Sequence, residues 1–224
     1  MRIPALFLIL MLTAASMAAA AGTSKPIDVT SQQMETLEKG KVVLFHGNVK
    51  VVQDTGILYA DTVRQYIADD RLEAEGNVHY QEVKDKETTD LFGDKMAYNR
   101  KAGYGLATGN PKMVHTVTGK PDENTTVTGD QIEFFNTEKR AKVSGHAEIN
   151  QTNSKSKSDV ADYYFDTKKM VLTGHPWVWQ KDENNTGEYT GKIITMFTDT
   201  KNVIINDDVQ AQITPVKKDK TDKK

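Results

Sequence analysis

The stretches FHGNVKV (45–51) and AEGNVHY (74–80) contain the same pattern: an alternating run, a Gly-Asn pair and a second alternating run. The glycine of this pattern recurs along the chain at Gly47, Gly76, Gly109, Gly145 and Gly174, and Asp207 occupies the next such position. Successive positions are 29, 33, 36, 29 and 33 residues apart. Recurrence at this nearly constant spacing indicates about six serial repeat units.

A second set of residues keeps a constant distance from these marks. Fifteen residues before each mark stand Gln32, Asp61, Asp94, Asp130, Asp159 and Lys192. Catalysis uses one or two carboxylates placed differently from the rest, whereas these aspartates recur once per unit. We therefore interpret them as residues of turns or as the first residues of strands. The variation in length therefore lies in the rest of each unit. Turn formers and charges predict exposed loops along one rim at 53–56, 84–90, 116–126, 152–158 and 181–187.

Apolar side chains alternate with polar ones on both sides of each mark. They stand two residues before it, as Phe45 does, and two and four residues after it, as Val49 and Val51 do. A period of two predicts strands with one face toward water, and no segment beyond the N-terminal leader has a helical period. The glycine then forms a corner at which one unit passes the sheet to the next. We predict an all-β sandwich or rolled body whose first and last strands are unpaired edges.

The two ends of the chain differ from this body. Residues 1–21 combine Arg2, an apolar core and Ala18-Ala19-Ala20, which predicts a cleaved signal peptide. An uncleaved membrane anchor is the rival interpretation. Residues 215–224 are predicted to be a disordered Lys-rich tail, which leaves one β domain over 22–214. The chain has no cysteine, so disulfides do not stabilise it.

The charge distribution argues against nucleic acid as a partner. The whole chain has 29 basic and 31 acidic residues. Without Arg2 and the last eight residues, KKDKTDKK, 23 basic residues stand against 29 acidic ones. A body with this negative balance and no basic stripe lacks the charge that would attract a phosphate backbone.

The sequence contains no catalytic, phosphate-binding or calcium-binding motif, so we expect neither an enzyme nor a cofactor. His146 and His175 fill the position after the glycine that is asparagine in other units. We therefore interpret them as corner residues and predict no metal site.

Two features remain as candidate binding surfaces. Trp177 and Trp179 flank Val178 and so point away from the apolar side. Edge packing under a loop is one interpretation of this pair, and contact with a partner or a carbohydrate is the other. The inward apolar columns form a dry core if the roll is closed, and a gutter for an alkyl chain if it is open. The residues alone leave both possibilities open.

The repeat motifs resemble those of the LptA/OstA family of lipopolysaccharide-transport bridge proteins. The matching elements are Gly47-Asn48-Val49, Ala60-Asp61 and Leu72-Glu73-Ala74-Glu75-Gly76. They recur at 76–78, 93–94, 127–130 and 158–174. The resemblance covers about residues 27–213 and rests on the phased copies, since each single motif is weak.

The resemblance implies an open, twisted β-jelly roll in the periplasm, without catalytic residues. Its apolar groove would shield the acyl chains of lipopolysaccharide during passage from the inner to the outer membrane. The implied partners are an inner-membrane-anchored LptC-like protein, an outer-membrane LptD-like translocon and further copies joined head to tail through edge strands. Carried onto this sequence, the lipid-binding groove would be lined by Val49, Val51, Val78, Tyr80, Tyr98, Phe134, Ala147, Ile149, Leu172 and Ile205.

Two other functions fit the same residues. An inner-membrane-anchored partner of the same fold would differ only in keeping its N-terminus in the membrane. A structural or glycan-binding β-repeat protein would have a dry interior and would bind sugars through its outward tryptophans or its rim loops.

Overall fold

The computed structural model describes residues 27–198, 200 and 202–216. The predicted signal peptide, 1–21, lies outside the described residues, as does the predicted tail from 217 onward. The described chain consists of 18 β-strands and two three-residue 3-10 turns, which confirms the all-β prediction. Within these residues no helix has the length and apolarity needed to cross a membrane.

The strands follow one another along the chain with short connections. Their bounds are Asp28–Thr30 (β1), Gln33–Leu37 (β2), Val42–Gln53 (β3), Gly56–Tyr66 (β4), Arg71–Lys84 (β5), Glu87–Asn99 (β6), Tyr104–Thr108 (β7), Lys112–Val117 (β8), Thr125–Thr128 (β9), Gln131–Phe135 (β10), Arg140–Gln151 (β11), Ser154–Tyr164 (β12), Lys169–Thr173 (β13), Trp177–Lys181 (β14), Asn185–Thr190 (β15), Ile193–Phe197 (β16), Val203–Asn206 (β17) and Gln210–Pro215 (β18). All pairings between them are antiparallel, as expected for strands joined by hairpins.

The pairings build two ladders, which we call layer one and layer two. Layer one runs in the order β2, β3 (42–46), β4 (62–66), β5 (71–75), β6 (95–99), β7, β10, β11 (140–144), β12 (160–164), β13, β16 and β17. Layer two runs in the order β1, β3 (49–53), β4 (56–60), β5 (78–84), β6 (87–93), β8, β9, β11 (147–151), β12 (154–158), β14, β15 and β18. The long strands therefore belong to both layers and bend between them.

The bends lie at the glycine marks, which confirms the predicted corners. Gly76 has φ +78° and the following Asn77 has φ +47°, and the register between β5 and β6 shifts at this point. Such a pair of left-handed residues suits glycine followed by asparagine. Asp207 and Asp208 adopt the same conformation, with φ +58° and +52°, so the last corner forms without glycine.

The phased side chains pack against the corner glycines. The carboxylate of Asp61 contacts Gly76, and that of Asp130 contacts Gly145. The amide of Asn77 also donates a hydrogen bond to Asp61 at 2.8 Å. Three of the four aspartates lie inside strands β4, β6 and β12, and Asp130 directly precedes β10. The prediction of turn or strand-start positions is therefore wrong for three of them, because the bent strands pass through the corner without a break.

The prediction of exposed loops holds for the exposed turns at 54–55, 85–86, 152–153 and 182–184, but it is wrong for the residues that flank them in the same segments. The flanking residues belong to strands of layer two: β5 continues to Lys84, β6 begins at Glu87, and β12 begins at Ser154. Short turns remain between these strands, and the segment 118–124 is longer and contains one of the 3-10 turns. These segments resemble loops in sequence because their inward residues are small and polar, as the buried Ser156 shows.

Candidate functional site

The space between the two layers is the principal candidate site. The corners join the layers along one side, whereas the hairpin turns of each layer lie on the other. Among the described strands no ladder joins the hairpin ends of layer one to those of layer two. We call this space the cleft, its corner side the floor and its hairpin side the mouth.

Apolar columns line both walls of the cleft. Register places Ala74, Met96, Ala107, Ile132, Val143, Ala161, Leu172, Ile194 and Ile205 in one row near the floor of layer one. A second row toward the mouth contains Leu72, Tyr98, Phe134, Ala141, Tyr163, Met170, Met196 and Val203. The facing row of layer two contains Val51, Leu58, Tyr80, Leu91, Met113, Val127 and Ile149. The alternation of the sequence thus becomes a continuous apolar lining.

The ten residues predicted to line the groove lie on these walls or at the floor. The buried ones are Val49, Val51, Val78, Phe134, Ala147, Ile149 and Leu172. Tyr80, Tyr98 and Ile205 are partly buried. They occur along most of the length of both layers, so the structure does not gather them into one compact pocket.

Sequence reasoning missed other lining residues that the same spacing rule identifies. Met113 stands four residues after Gly109, and Val178 four residues after Gly174. Both face the cleft, and Val178 is fully buried. Pro111 and Pro176 interrupt the apolar alternation after these two marks and so obscure the pattern.

The cleft of the described chain is nearly filled by its own side chains. A cavity of about 40 Å³ lies between the layers, lined by residues such as Met113, Val127, Phe134, Tyr163 and Met170. An apolar cavity needs about 150 Å³ to accept a molecule the size of benzene. An alkyl chain therefore enters only if the layers separate at the mouth.

The mouth side of layer two is polar. Register aligns Glu82, Thr89, His115, Thr125 and Gln151 in one row of inward residues. The hydroxyl of Thr89 lies 3.1 Å from Nδ1 of His115, and the amide of Gln151 donates to the hydroxyl of Thr125 at 3.1 Å. These bonds satisfy polar groups that burial would otherwise penalise. The cleft is therefore amphipathic, with an apolar floor and a polar lip.

Burial shifts the pKa values of the titratable groups at and beside this lip in the direction that disfavours their charged forms. It lowers the pKa of His115, against the opposing effects of the Glu87 and Glu123 carboxylates. It raises the pKa of Tyr80, and the neighbouring Glu82 raises it further. It also raises the pKa of the Glu82 carboxyl itself. A low-dielectric environment that disfavours charge also suits apolar or neutral polar ligand groups.

His146 and His175 lie at the corners, as predicted, and each contacts a phased aspartate. Nδ1 of His146 lies 3.3 Å from the Asp130 carboxylate, and Nδ1 of His175 lies 3.2 Å from Asp159. In the part of the chain that the structure describes, no cluster of three or more potential metal ligands occurs. These contacts lie at the corners, on the surface of the protein.

The ends of both ladders are the second candidate surface. Among the described strands, β1 and β2 pair only with β3, β17 pairs only with β16, and β18 pairs only with β15. We call these ends the N-terminal and C-terminal margins. They carry exposed apolar side chains, with Met34 61% exposed at one and Ile204 49% and Ile213 61% at the other. Unpaired backbone groups beside apolar side chains are suited to strand addition by another chain.

Comparisons with known proteins were made against families, curated proteins and solved structures. The family model described as "LptA/(LptD N-terminal domain) LPS transport protein" matches residues 28–140. A search of the curated proteins gives no match. Among solved structures the chain is similar to LptH, the LptA homologous periplasmic component of the lipopolysaccharide transport device from Pseudomonas aeruginosa. That similarity has 17% identity and a TM-score of 0.30, and covers 87% of this chain and 96% of LptH.

Proposed function

The chain belongs to the LptA/LptD N-terminal domain family of lipopolysaccharide transport proteins, and from this premise we propose that it is a periplasmic bridge that carries lipopolysaccharide in its cleft. The cleft shields the acyl chains while the sugars remain in water. Margins of successive molecules join by strand addition, so that the clefts form one path from the inner to the outer membrane. The family is one of transport proteins, and the chemistry proposed makes and breaks no covalent bond.

The continuous apolar lining of the cleft is the observation that supports this function most directly. It contains Leu172 and Ile194, which have no measurable exposure, together with Phe134 and Met170 near the mouth. Each buried methylene of an acyl chain contributes about 0.8 kcal/mol, so about six methylenes contribute about 5 kcal/mol. A gain of this size offsets the separation of the two walls around a chain.

The direction of opening follows from the topology. Corners such as Gly145 connect the layers covalently on the floor side, whereas among the described strands no pairing joins the layers at the mouth. Separation at the mouth exposes apolar side chains, which a bound acyl chain covers again. The polar lip at His115 and Thr125 then lies beside the first polar groups of the lipid.

The proposed stacking makes a sharp prediction for two margin variants. We expect Met34→Asp at the N-terminal margin and Ile204→Asp at the C-terminal margin each to abolish self-association, because a charge on an edge strand opposes further pairing. An equimolar mixture is expected to form dimers only, since the intact margins of the two variants still fit each other. Sedimentation velocity measures this. Failure of the mixture to form dimers contradicts head-to-tail stacking.

The transport role is tested in a host that depends on the chain. Depletion is expected to leave newly made lipopolysaccharide at the inner membrane, and expression of the full chain to restore delivery. An N-terminus near residue 21 in the exported protein distinguishes a free bridge from an anchored partner of the same fold. Normal surface delivery after depletion contradicts the proposed function.

A further inference from the structure

The outer face of layer two, which points away from the cleft, carries two groups of aromatic side chains. One cross-strand row of this face contains Thr30, Lys50, Tyr59, His79, Phe92, Lys112, Thr128, Glu148, Lys157, Trp177 and Thr190. The aromatic groups on β6 and β14 are five ladder steps apart, about 24 Å at the usual strand spacing. The proposed lipid path leaves this face unused.

The first group is a rigid stack of three rings. The ring centroids of His79 and Phe92 are 4.4 Å apart and those of Tyr59 and His79 are 5.8 Å apart. Nε2 of His79 lies 2.7 Å from the carboxylate of Asp90, which fixes the central ring. Tyr59 and Phe92 remain 38% and 39% exposed, and Nζ of Lys50 lies 5.8 Å from the Tyr59 ring.

The second group is the tryptophan pair. Trp177 and Trp179 point outward from β14, about 7 Å apart along the strand. Register places Lys157 opposite Trp177 and Lys155 opposite Trp179. Strand β14 pairs on both sides, with β12 and β15, so edge packing under a loop is the wrong interpretation of this pair. Lys157 forms a 2.6 Å salt bridge with Glu148 of the neighbouring strand. Lys181 lies further along β14, and among the described residues neither it nor Lys155 forms a salt bridge.

On the outer face of layer one, basic side chains pack directly on aromatic rings. There the guanidinium groups of Arg71 and Arg140 lie 4.0 and 4.1 Å from the rings of Tyr66 and Phe135. Arg140 also forms a 2.7 Å salt bridge with Asp162. On layer two the lysines lie farther from the rings, as the 5.9 Å between Lys155 and Trp179 shows. Lys157 is paired with Glu148, so the rings of layer two together with the charges of Lys155 and Lys181 are the groups available to a ligand.

We propose that the outer face of layer two binds peptidoglycan, a linear glycan of the cell wall whose peptide stems carry carboxylates. Sugar rings present apolar faces at regular intervals, which match aromatic side chains spaced along a flat sheet. Lysines beside the rings attract carboxylates. The hydroxyl and amide groups that lie between the two aromatic groups, such as those of Thr128 and Asn150, can form hydrogen bonds with sugar hydroxyls. Lysine is depleted in protein–protein interfaces, so this composition favours a glycan over a protein partner.

The sugars of the transported lipid are a poorer fit to this surface. A lipid in the cleft presents its sugars at the mouth, on the opposite side of layer two from Trp177 and Trp179. The inference therefore goes beyond the proposed function and rests on it only for export of the chain to the compartment that contains the cell wall. Attachment there would hold a stacked bridge in position without occupying its cleft.

Cosedimentation of the purified full-length exported protein with insoluble peptidoglycan tests the proposal. We expect the double variant Trp177→Ala/Trp179→Ala to bind about tenfold more weakly or worse, because it removes two stacking surfaces. Lys155→Gln/Lys181→Gln is expected to weaken binding most at low salt. Tyr164→Ala on the outer face of layer one is the matched control and is expected to bind like the parent. If the tryptophan variant does not fold, Tyr59→Ser/Phe92→Ser repeats the test at the first aromatic group.

Three results overturn the proposal. The first is absent binding to peptidoglycan, or binding that neither aromatic double variant changes. The second is competition by the lipid-free oligosaccharide of lipopolysaccharide. If this oligosaccharide displaces the protein from peptidoglycan at the same concentration as soluble peptidoglycan fragments do, the surface belongs to the transported molecule. The third is tryptophan-dependent binding to anionic phospholipid vesicles without binding to peptidoglycan. None of these results changes lipid capture inside the cleft, so the two proposals fail independently.

Discussion

Replacement of a corner glycine by alanine tests the physical account of the fold most sharply. In Gly76→Ala the new Cβ is held at a φ of +78° and is directed into the carboxylate of Asp61. Alanine in the left-handed region costs about 1–2 kcal/mol. Displacement of a packed neighbour adds about 1–3 kcal/mol. The free energy of unfolding of Gly76→Ala is therefore expected to fall by about 2–5 kcal/mol, which lowers Tm by roughly 4–20 °C for a domain of this size.

Gly119→Ala is the matched control for this prediction. Gly119 has φ +80° but no atom within 4 Å of the position that a Cβ would take. Gly119→Ala is therefore expected to lower the free energy of unfolding by the conformational cost alone, about 1–2 kcal/mol. The difference between the two variants isolates the contact with Asp61.

Thermal unfolding followed by circular dichroism measures both variants. The double variant Gly76→Ala/Asp61→Gly is expected to be less destabilised than the sum of its single changes, because the second change removes the clash. Equal losses for Gly76→Ala and Gly119→Ala, or strict additivity in the double variant, refute the packing of the phased aspartate as the reason for the corner.

Two further predictions concern the cleft. Leu172→Ala removes a fully buried side chain of the cleft wall and is expected to lower the free energy of unfolding by about 2–5 kcal/mol. Val171→Ala, on the outer face, is expected to lower it by less than about 1 kcal/mol. Urea titrations measure both, and equal losses contradict the assigned faces. Because burial lowers the folded-state pKa of His115, the unfolded chain takes up the proton first, so stability is expected to fall as pH drops below about 6.5. His115→Gln is expected to reduce this loss between about pH 7 and pH 5, with the exposed His146→Gln as control, and an unchanged pH profile contradicts the assignment.

The corners and the apolar columns are the parts of the fold that the sequence predicts well. Both depend on constant offsets along the chain: Asp61 stands fifteen residues before Gly76, and Val78 two residues after it. The structure turns these offsets into contacts because each unit repeats one backbone path. The Asp207 corner shows that the path persists when the glycine is absent.

Layer two is the part that sequence reasoning resolves poorly. Its buried inward residues include Thr89 and Thr125 near the mouth, Ser156 in the middle row and Ser158 beside the corner. Small hydroxyl side chains between charged neighbours resemble a loop in sequence, and only the register of the neighbouring strands shows that they face the cleft. Thr89 and Thr125 belong to the lip, so the least predictable part of the fold is also part of the candidate site.

Adjacent positions on β10 provide the most direct test of lipid carriage. Phe134 faces the cleft and is 5% exposed, whereas Glu133 points outward toward Tyr104. A photo-reactive phenylalanine analogue is placed at either position of the full chain in cells that make lipopolysaccharide. We expect irradiation to capture lipopolysaccharide at position 134 and not at position 133. Equal capture at the two positions, or capture at neither, contradicts a cleft that carries lipid.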